Sequence, residues 1–165
     1  MNDTNKCQGI QLRPMSDEMY YCYFKEYEND SDLYFDKKEY KHYEYSDKAV
    51  AEYIERQKLK KRIPMAIMIG DEIIGEMIFK DIIKGLSVTL SIALKNNFYK
   101  NKGYGSCAER LALQYAFDVL NVKTVYADSI LTNTRSQHVL KKVGFTETHR
   151  DDKFVYYKFE KNIQG

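Results

Sequence analysis

The sequence predicts a single mixed α/β domain of 165 residues, with a core over about 8–160, in which helices pack on a central sheet. Residues 103–120 are apolar at nearly every helical position, so this helix needs a broad apolar partner such as a sheet. Segments with a period of two residues cluster after Pro64 and again near the end of the chain, which is typical of strands. Two serines that suit helix N-caps precede further helical segments.

The first half of the chain is predicted as strand, helix, irregular segment and helix. "IQLRPM" at 10–15 forms a short strand, and Ser16 caps a helix that runs to about 27, with acidic residues in its first turn. Residues 28–45 are acidic, aromatic and without a clear period. Ser46 caps a second helix that reaches about 58, where "KLKKR" suits the negative end of the helix dipole.

The second half alternates strands and helices. Two strands flank the Gly70-Asp71 hairpin, and "LSVTLSIAL" at 86–94 gives the next strand. The helix 103–120, whose polar stripe is Arg110, Gln114 and Asp118, is followed by a strand at 123–130 and a helix at 133–143. Two strands within 144–160 close the order β-α-α-β-β-β-α-β-α-β-β.

Charge and composition exclude several function classes. The formal net charge is only +2, so nothing global indicates nucleic acid, but 17–55 hold twelve acidic against five basic residues and 95–165 seven against twelve. This division favours two subsites of opposite charge preference. No apolar run is long enough for a membrane span, and the polar start "MNDTNKCQGI" predicts no secretory signal.

The cysteines and histidines indicate neither a disulfide framework nor a metal site. Cys7, Cys22 and Cys107 are an odd number at spacings that suit neither disulfides nor zinc, so we expect a reducing, cytoplasmic location. The three histidines are scattered, and no metal is expected.

A pair of glycines, Gly103 and Gly105, marks the start of the long helix. A helix N-terminus carries unsatisfied N–H groups and a partial positive charge, and glycines let an anion approach the backbone closely. The spacing is not that of a P-loop or of a dinucleotide fingerprint. The pattern therefore favours a pyrophosphate site.

Two segments resemble a known family. "KNKGYGS" at 100–106 is similar to the Q/R-x-x-G-x-G/A loop of the GNAT N-acetyltransferases, and "NTRSQHVLKKVGF" at 133–145 resembles the N-x-x-S segment of their RimJ/RimL-like branch. The resemblance implies a GNAT fold, with a mixed sheet of six to seven strands and helices on both faces. It also implies an acetyl-CoA-dependent N-acetyltransferase that acts by direct attack in a ternary complex.

The resemblance assigns the cosubstrate site residue by residue. Lys100 stands where the family usually has Gln or Arg; it keeps a cation near the phosphates but not the bidentate fork of Arg. Asn133 is expected both to cap its helix and to contact the cosubstrate. The full set implied for acetyl-CoA is Ile92, Ala93, Leu94, Lys100, Asn101, Lys102, Gly103, Tyr104, Gly105, Ser106 and Asn133.

The catalytic groups are less sharply defined. Many family members use a tyrosine as acid where this chain has Leu140, so the resemblance points to Ser136 instead, in an acid or orienting role. Glu76, on an apolar strand face, and Asp81, at the end of the same strand, are the candidate bases, with an ordered water as the third option.

The acceptor side is expected in the first third of the chain. Residues 20–45 hold ten aromatic and seven acidic residues, which suits a cationic amine. The residues at 20, 23, 24 and 27 fit a buried helix face, which leaves Tyr34, Phe35, Tyr40 and Tyr43 as candidate acceptor contacts. The acceptor is a small-molecule amine or a (ribosomal) protein N-terminus, and the protein a monomer or homodimer. The alternative function is a non-catalytic acyl-CoA-binding sensor or interaction domain.

Overall fold

A computed structural model describes residues 7–162, so the polar residues 1–6, on which the prediction of no secretory signal partly rests, lie outside the described range, as do 163–165. The predicted order of elements is confirmed throughout. The elements are β1 (Ile10–Pro14), α1 (Asp17–Lys25), α2 (Asp47–Leu59), β2 (Ile63–Ile69), β3 (Glu72–Ile83), β4 (Ser87–Leu94), α3 (Tyr104–Asp118), β5 (Thr124–Ile130), α4 (Thr134–Val143), β6 (Thr146–Arg150) and β7 (Phe154–Glu160).

Local side-chain chemistry sets the boundaries of these elements. Ser16 accepts a hydrogen bond from the Met19 backbone N–H at 3.2 Å, and Ser46 accepts one from Ala49 at 3.1 Å, so both predicted N-caps are confirmed. The two-residue hairpin between β2 and β3 is also confirmed. The segment between α1 and α2 is irregular apart from two short 3₁₀ turns, Ser31–Leu33 and Lys37–Glu39.

One seven-stranded sheet runs through the molecule in the order β1-β2-β3-β4-β5-β7-β6. All neighbouring strands are antiparallel except β4 and β5, which are parallel and pair over only three residues, from Ser87↔Thr124 to Thr89↔Tyr126. Beyond Thr89, β4 continues to pair with β3, whereas β5 pairs only with β7. The two central strands therefore separate, and this separation opens a cleft in the middle of the sheet.

Each face of the sheet carries its own apolar core. Alternate residues of β2 divide between them, with Met65 and Ile67 in the core under α3 and α4, and Ala66 and Met68 in the core under α1 and α2. This arrangement confirms the predicted helices on both faces. None of the helices in residues 7–162 is both long and apolar enough to cross a membrane.

The structure corrects the prediction for the cysteines. Cys7 and Cys107 form a disulfide with their Cα atoms 5.4 Å apart, although 100 residues separate them in sequence. The fold brings the segment before β1 onto the first turns of α3, a proximity that cysteine spacing does not reveal. Cys22 is free and exposed. The cytoplasmic location stays a prediction, and the disulfide removes its cysteine argument.

Candidate functional site

Two adjoining cavities open where β4 and β5 separate. The first, of about 210 Å³, lies between the end of β4, the loop before α3, the start of α3 and α4. The second, of about 190 Å³, continues between β4 and β5. The wall of the first cavity includes eleven residues predicted from the sequence motifs: Ile92, Ala93, Leu94, Lys100, Asn101, Gly103, Tyr104, Gly105, Ser106, Asn133 and Ser136.

Lys102 is the one predicted cosubstrate residue that does not line this cavity. Its side chain turns outward instead, and its ammonium lies 3.4 Å from the ring centroid of the exposed Phe98. Most residues of the loop motif therefore line the cavity, but Lys102 does not.

The N-terminus of α3 differs from the other helix starts of the described chain. Gly103 is its N-cap, with a left-handed φ of +86° that glycine adopts without strain, and no side chain accepts from the first-turn N–H groups. Side chains of Ser16, Ser46 and Asn133 cap the other three α-helices. The start of α3 thus offers uncapped N–H groups and the positive end of the helix dipole to the first cavity, which suits an anion.

A carboxylate from the segment before α2 reaches the same cavity. Asp30 Oδ2 lies 2.6 Å from Lys100 Nζ and 2.6 Å from Arg135 Nη2, while Asn97 Oδ1 accepts from Lys100 at 2.7 Å. Burial of Asp30 disfavours its charged form, but hydrogen bonds from Lys100, the Asp32 N–H and Arg135 outweigh this and lower its pKa. Lys100, predicted to lie near a phosphate, already has a carboxylate partner.

The start of α4 supplies a polar wall. Asn133 Oδ1 accepts from the Ser136 N–H at 3.1 Å, which confirms the predicted N-cap, and the Asn133 carbonyl accepts from Ser129 Oγ at 3.3 Å. Ser136 itself lines both cavities. One turn further along α4, the buried Leu140 lines the second cavity.

Glu76, one of the two candidate bases, is buried on the other face of the sheet. It lies between Ala66 and Ala93 in the strand register, is 4% exposed, and accepts a hydrogen bond of 2.6 Å from the Tyr53 hydroxyl of α2. Burial raises its pKa, with tyrosine hydrogen bonds and the charge of Arg62 acting in the opposite direction. Glu76 does not line either cavity, although Ala93 beside it does.

The second candidate base, Asp81, lies away from the cleft. It is exposed, with a φ of +50°, in an irregular part of the β3–β4 pairing just past Lys80, which pairs with Thr89. The strands begin to separate only beyond Thr89, in the direction away from Asp81. Asp81 therefore does not border the cleft, because strand spacing alone did not tell which end of β3 does, and its role as a base stays a prediction.

The four predicted acceptor aromatics also fall outside both cavities. Tyr43 packs on Phe24 with ring centroids 5.5 Å apart, and Tyr34 packs on Tyr40 at 5.7 Å, whereas Phe35 is 48% exposed. Three of the four therefore pack on other aromatic rings, an apolar use of aromatics that composition does not distinguish from ligand contact.

Other residues of the same region border the cleft instead. Asp30 and Leu33 come from the irregular segment between α1 and α2, and Tyr27 lies two residues past the end of α1. Tyr27 was expected in the buried core; it is half-buried at the cavity wall, and burial, followed by the charge of Asp30, raises its pKa to about 12.

Glu109 is a cleft residue that none of the sequence motifs predicts. It lies on α3, is 3% exposed, and lines both cavities. Its Oε2 atom has no hydrogen-bond partner among the described residues, and burial raises its pKa to about 8. A signal existed in the sequence, because Glu109 is a charged residue off the polar stripe of a helix that is otherwise apolar.

The known proteins that share this fold include acetyltransferases. The family model for the acetyltransferase (GNAT) domain matches residues 10–146. No curated protein matches the sequence. N-acetyltransferase PseH from Campylobacter jejuni, solved with acetyl coenzyme A, superposes with a TM-score of 0.69 at 21% identity, over 93% of this chain and 99% of PseH.

Two further structures share the fold. Spermidine N-acetyltransferase from Vibrio cholerae, solved with CoA and spermine, has a TM-score of 0.74 at 17% identity over 92% of this chain and 95% of its own. Aminoglycoside acetyltransferase AAC(6')-Ib, solved with coenzyme A, has a TM-score of 0.74 at 15% identity over 92% and 94%. At such identities the structures show a common fold. Because the family model covers most of the sequence, the chain belongs to the GNAT acetyltransferase family.

Proposed function

We propose that this protein transfers the acetyl group of acetyl-CoA to the nitrogen of a primary amine. The observation that carries the proposal is the uncapped N-terminus of α3 at the mouth of the cleft between β4 and β5. Its N–H groups suit the pyrophosphate of CoA. Residues 90–94 of β4 have no partner strand on the β5 side among residues 7–162, so their backbone edge suits the amides of an extended pantetheine arm.

The chemistry requires a neutral amine, a polarised thioester carbonyl and a proton for the departing sulfur. Ser136, at the junction of the two cavities, supports a role in orienting the thioester or the sulfur. Water in the open cleft is the proton acceptor that the geometry favours, because Glu76 is buried beneath Tyr53 and Asp81 is remote.

The acceptor is proposed to approach past α1 and the acidic segment 28–45, which favours a cationic amine. Two of the fold relatives are named for spermidine and aminoglycosides, which are amines of this kind. The RimJ/RimL-like resemblance of 133–145 instead favours a protein N-terminus, and this branch assignment stays a prediction. Both classes therefore belong in the test.

The test measures CoA release from acetyl-CoA with a thiol reagent in the presence of spermidine, an aminoglycoside, free amino acids or N-terminal peptides. The exposed Cys22 also reacts with such a reagent, so a reaction without amine sets the background. We expect release with one amine class, a Ser136→Ala rate reduced about 10-fold or more, and recovery in Ser136→Thr, which keeps the hydroxyl.

The sensor alternative makes the opposite prediction. It expects acetyl-CoA to bind in calorimetry with no transfer to any amine, and Ser136→Ala to change nothing. Failure of acetyl-CoA to bind at all would contradict both functions, because both depend on the N-terminus of α3.

A further inference from the structure

We propose that Glu109 is a catalytic acid of this site, which delivers its carboxyl proton to the sulfur of CoA as the thioester bond breaks. This inference rests on the proposed function, because it needs acetyl-CoA in the cleft. It extends that function by assigning the proton donor to a residue on α3.

The position of Glu109 carries the proposal. Five of the described residues line both cavities, and Glu109 shares this junction with Leu33, Ile92, Asn133 and Ser136. A thioester whose pyrophosphate lies at the start of α3 and whose arm follows residues 90–94 must pass this junction. Glu109 is one helical turn beyond Gly105 and Ser106 on the same helix, and unlike these two residues it also lines the second cavity.

The Oε2 atom of Glu109 lacks a hydrogen-bond partner among the described residues, and this needs an explanation. A buried polar atom without a hydrogen bond destabilises a fold, and such atoms are rare in native proteins. Oε2 of Glu109 is such an atom, in a side chain that is 3% exposed. A ligand in the adjoining cavities can supply the partner that the protein does not.

The surroundings keep the carboxyl protonated near neutral pH. The charged and titratable groups around the cavities come from five parts of the chain, namely the segment after α1, the loop before α3, α3 itself, β5 and α4. They are Tyr27, Asp30, Tyr99, Lys100, Tyr104, Asp128, Arg135, His138 and Lys142. None of them offsets the burial of Glu109, which alone raises its pKa to about 8. A carboxylic acid, unlike a carboxylate, is a proton donor.

The proton balance of the step is simple. The amine lone pair forms the C–N bond, the C–S bond breaks with its electron pair moving to sulfur, and the Glu109 proton moves to that sulfur to give the CoA thiol. The new amide nitrogen releases its extra proton to water, and Glu109 takes a proton back from water. A thiol pKa near 8.5 matches a donor with a pKa of about 8, so the transfer is nearly balanced in free energy.

The first test is the pH dependence of kcat in Glu109→Gln, which keeps shape and size but has no acidic proton. We expect the wild-type kcat to fall above about pH 8, where Glu109 loses its proton, and the variant to lack this alkaline fall. The kcat of the variant should be about 100-fold lower, which is at the lower end of the effect of general acids, whereas its KM for acetyl-CoA should change little. Glu52→Gln makes the same change at an exposed position of α2 and should match the wild type.

The second test needs no turnover. Infrared difference spectra of the wild type between pH 6 and pH 10 should show a carboxylic acid C=O band that disappears with a midpoint near pH 8. Glu109→Gln, or Glu109→Met if the former does not fold, should lack this band. Absence of the band in the wild type at pH 7 would overturn the proposal.

The outcomes separate this inference from the proposed function. If the wild type transfers acetyl groups and Glu109→Gln keeps the same kcat and the same fall of kcat at alkaline pH, only the role of Glu109 as proton donor is overturned. If Glu109→Gln instead raises the dissociation constant of acetyl-CoA and leaves kcat unchanged, this role is also overturned, because Glu109 would then bind the pantetheine arm. Absence of transfer in the wild type would overturn the function and this inference together.

Discussion

At the scale of single residues, Glu109 links stability to chemistry. Its buried Oε2, which has no hydrogen-bond partner in residues 7–162, costs about 1–3 kcal/mol relative to an apolar group of similar shape. Its pKa of about 8 lies above the ordinary 4.5, so the folded chain holds a proton that the unfolded chain releases between these values. Stability therefore falls as pH rises through this window, by up to about 1.4 kcal/mol per pH unit.

We therefore predict that Glu109→Met raises the melting temperature while it lowers kcat. Methionine keeps the length of the side chain and fills the site without an unsatisfied oxygen. The gain should be larger at pH 8 than at pH 5, because the wild type bears the cost of protonation only above about pH 4.5. Thermal melts at the two pH values measure this difference, at about 2–4 °C for each kcal/mol.

Glu52→Met, an exposed position of α2, controls for the added hydrophobicity and should shift the melting temperature very little. An equal gain at both pH values in Glu109→Met would mean that Glu109 is already ionised at pH 5. In that case the raised pKa would be wrong.

At the scale of elements, one carboxylate holds three parts of the site together. Asp30 Oδ1 accepts from the Asp32 N–H at 2.9 Å and so starts the first 3₁₀ turn, while Oδ2 bridges Lys100, before α3, and Arg135, on α4. The side chain of Lys100 is 7% exposed, so water does little to solvate its ammonium and Asp30 supplies the opposite charge. The irregular segment is thereby fixed over the mouth of the first cavity.

We predict that Asp30→Asn destabilises the free protein and increases the stabilisation by acetyl-CoA. The substitution leaves the buried Lys100 without its carboxylate, which costs about 3 kcal/mol, less the part that the partly exposed Arg135 regains from water. A bound pyrophosphate supplies negative charge to the same cations. Thermal shifts with and without acetyl-CoA should therefore show a larger ligand-induced increase than in the wild type.

Asp36→Asn is the matched control, because Asp36 starts the second 3₁₀ turn in the same way but is exposed and has no cation partner in residues 7–162. We expect nearly wild-type behaviour, since asparagine also caps well. A smaller acetyl-CoA shift in Asp30→Asn than in the wild type would show that Asp30 assists the phosphates and does not compete with them.

At the scale of the whole molecule, the sequence predicted what depends on local chemistry. Caps such as Ser16 and Asn133, the Gly70-Asp71 turn and the periodicity of the strands are encoded by neighbours in the chain, so the element order was confirmed. The loop motif likewise brought most of its residues to one cavity, because 100–106 form a continuous segment beside the helix that they start.

The rest depends on contacts between distant segments. The bridge from Asp30 to Lys100 and Arg135, the burial of Glu109 and the position of Asp81 relative to the cleft follow from how strands register and where they separate. Composition does not distinguish a tyrosine that packs on another ring from one that faces a ligand. Cysteine spacing did not reveal the disulfide of Cys7 and Cys107, because the two residues lie 100 residues apart and meet only in the folded chain.

This disulfide joins the segment before β1 to α3, and we predict that it contributes to the stability of the whole domain. In the chain-entropy account, closing a loop of about 100 residues stabilises the folded state by about 4–5 kcal/mol. Cys7→Ser should therefore lower the melting temperature by about 10 °C in a domain of this size. Reduction of the wild type should produce a similar shift, and denatured, unreduced protein should show only the thiol of Cys22.

Cys22→Ser is the control, because this exposed cysteine is free and its replacement should leave the melting temperature unchanged in both oxidised and reduced protein. Three reactive thiols in the denatured, unreduced wild type would show that the pair is not oxidised. A melting temperature unaffected by Cys7→Ser would instead contradict a net stabilisation by the cross-link. The added entropy of the unfolded chain would then be matched by strain released in the folded one.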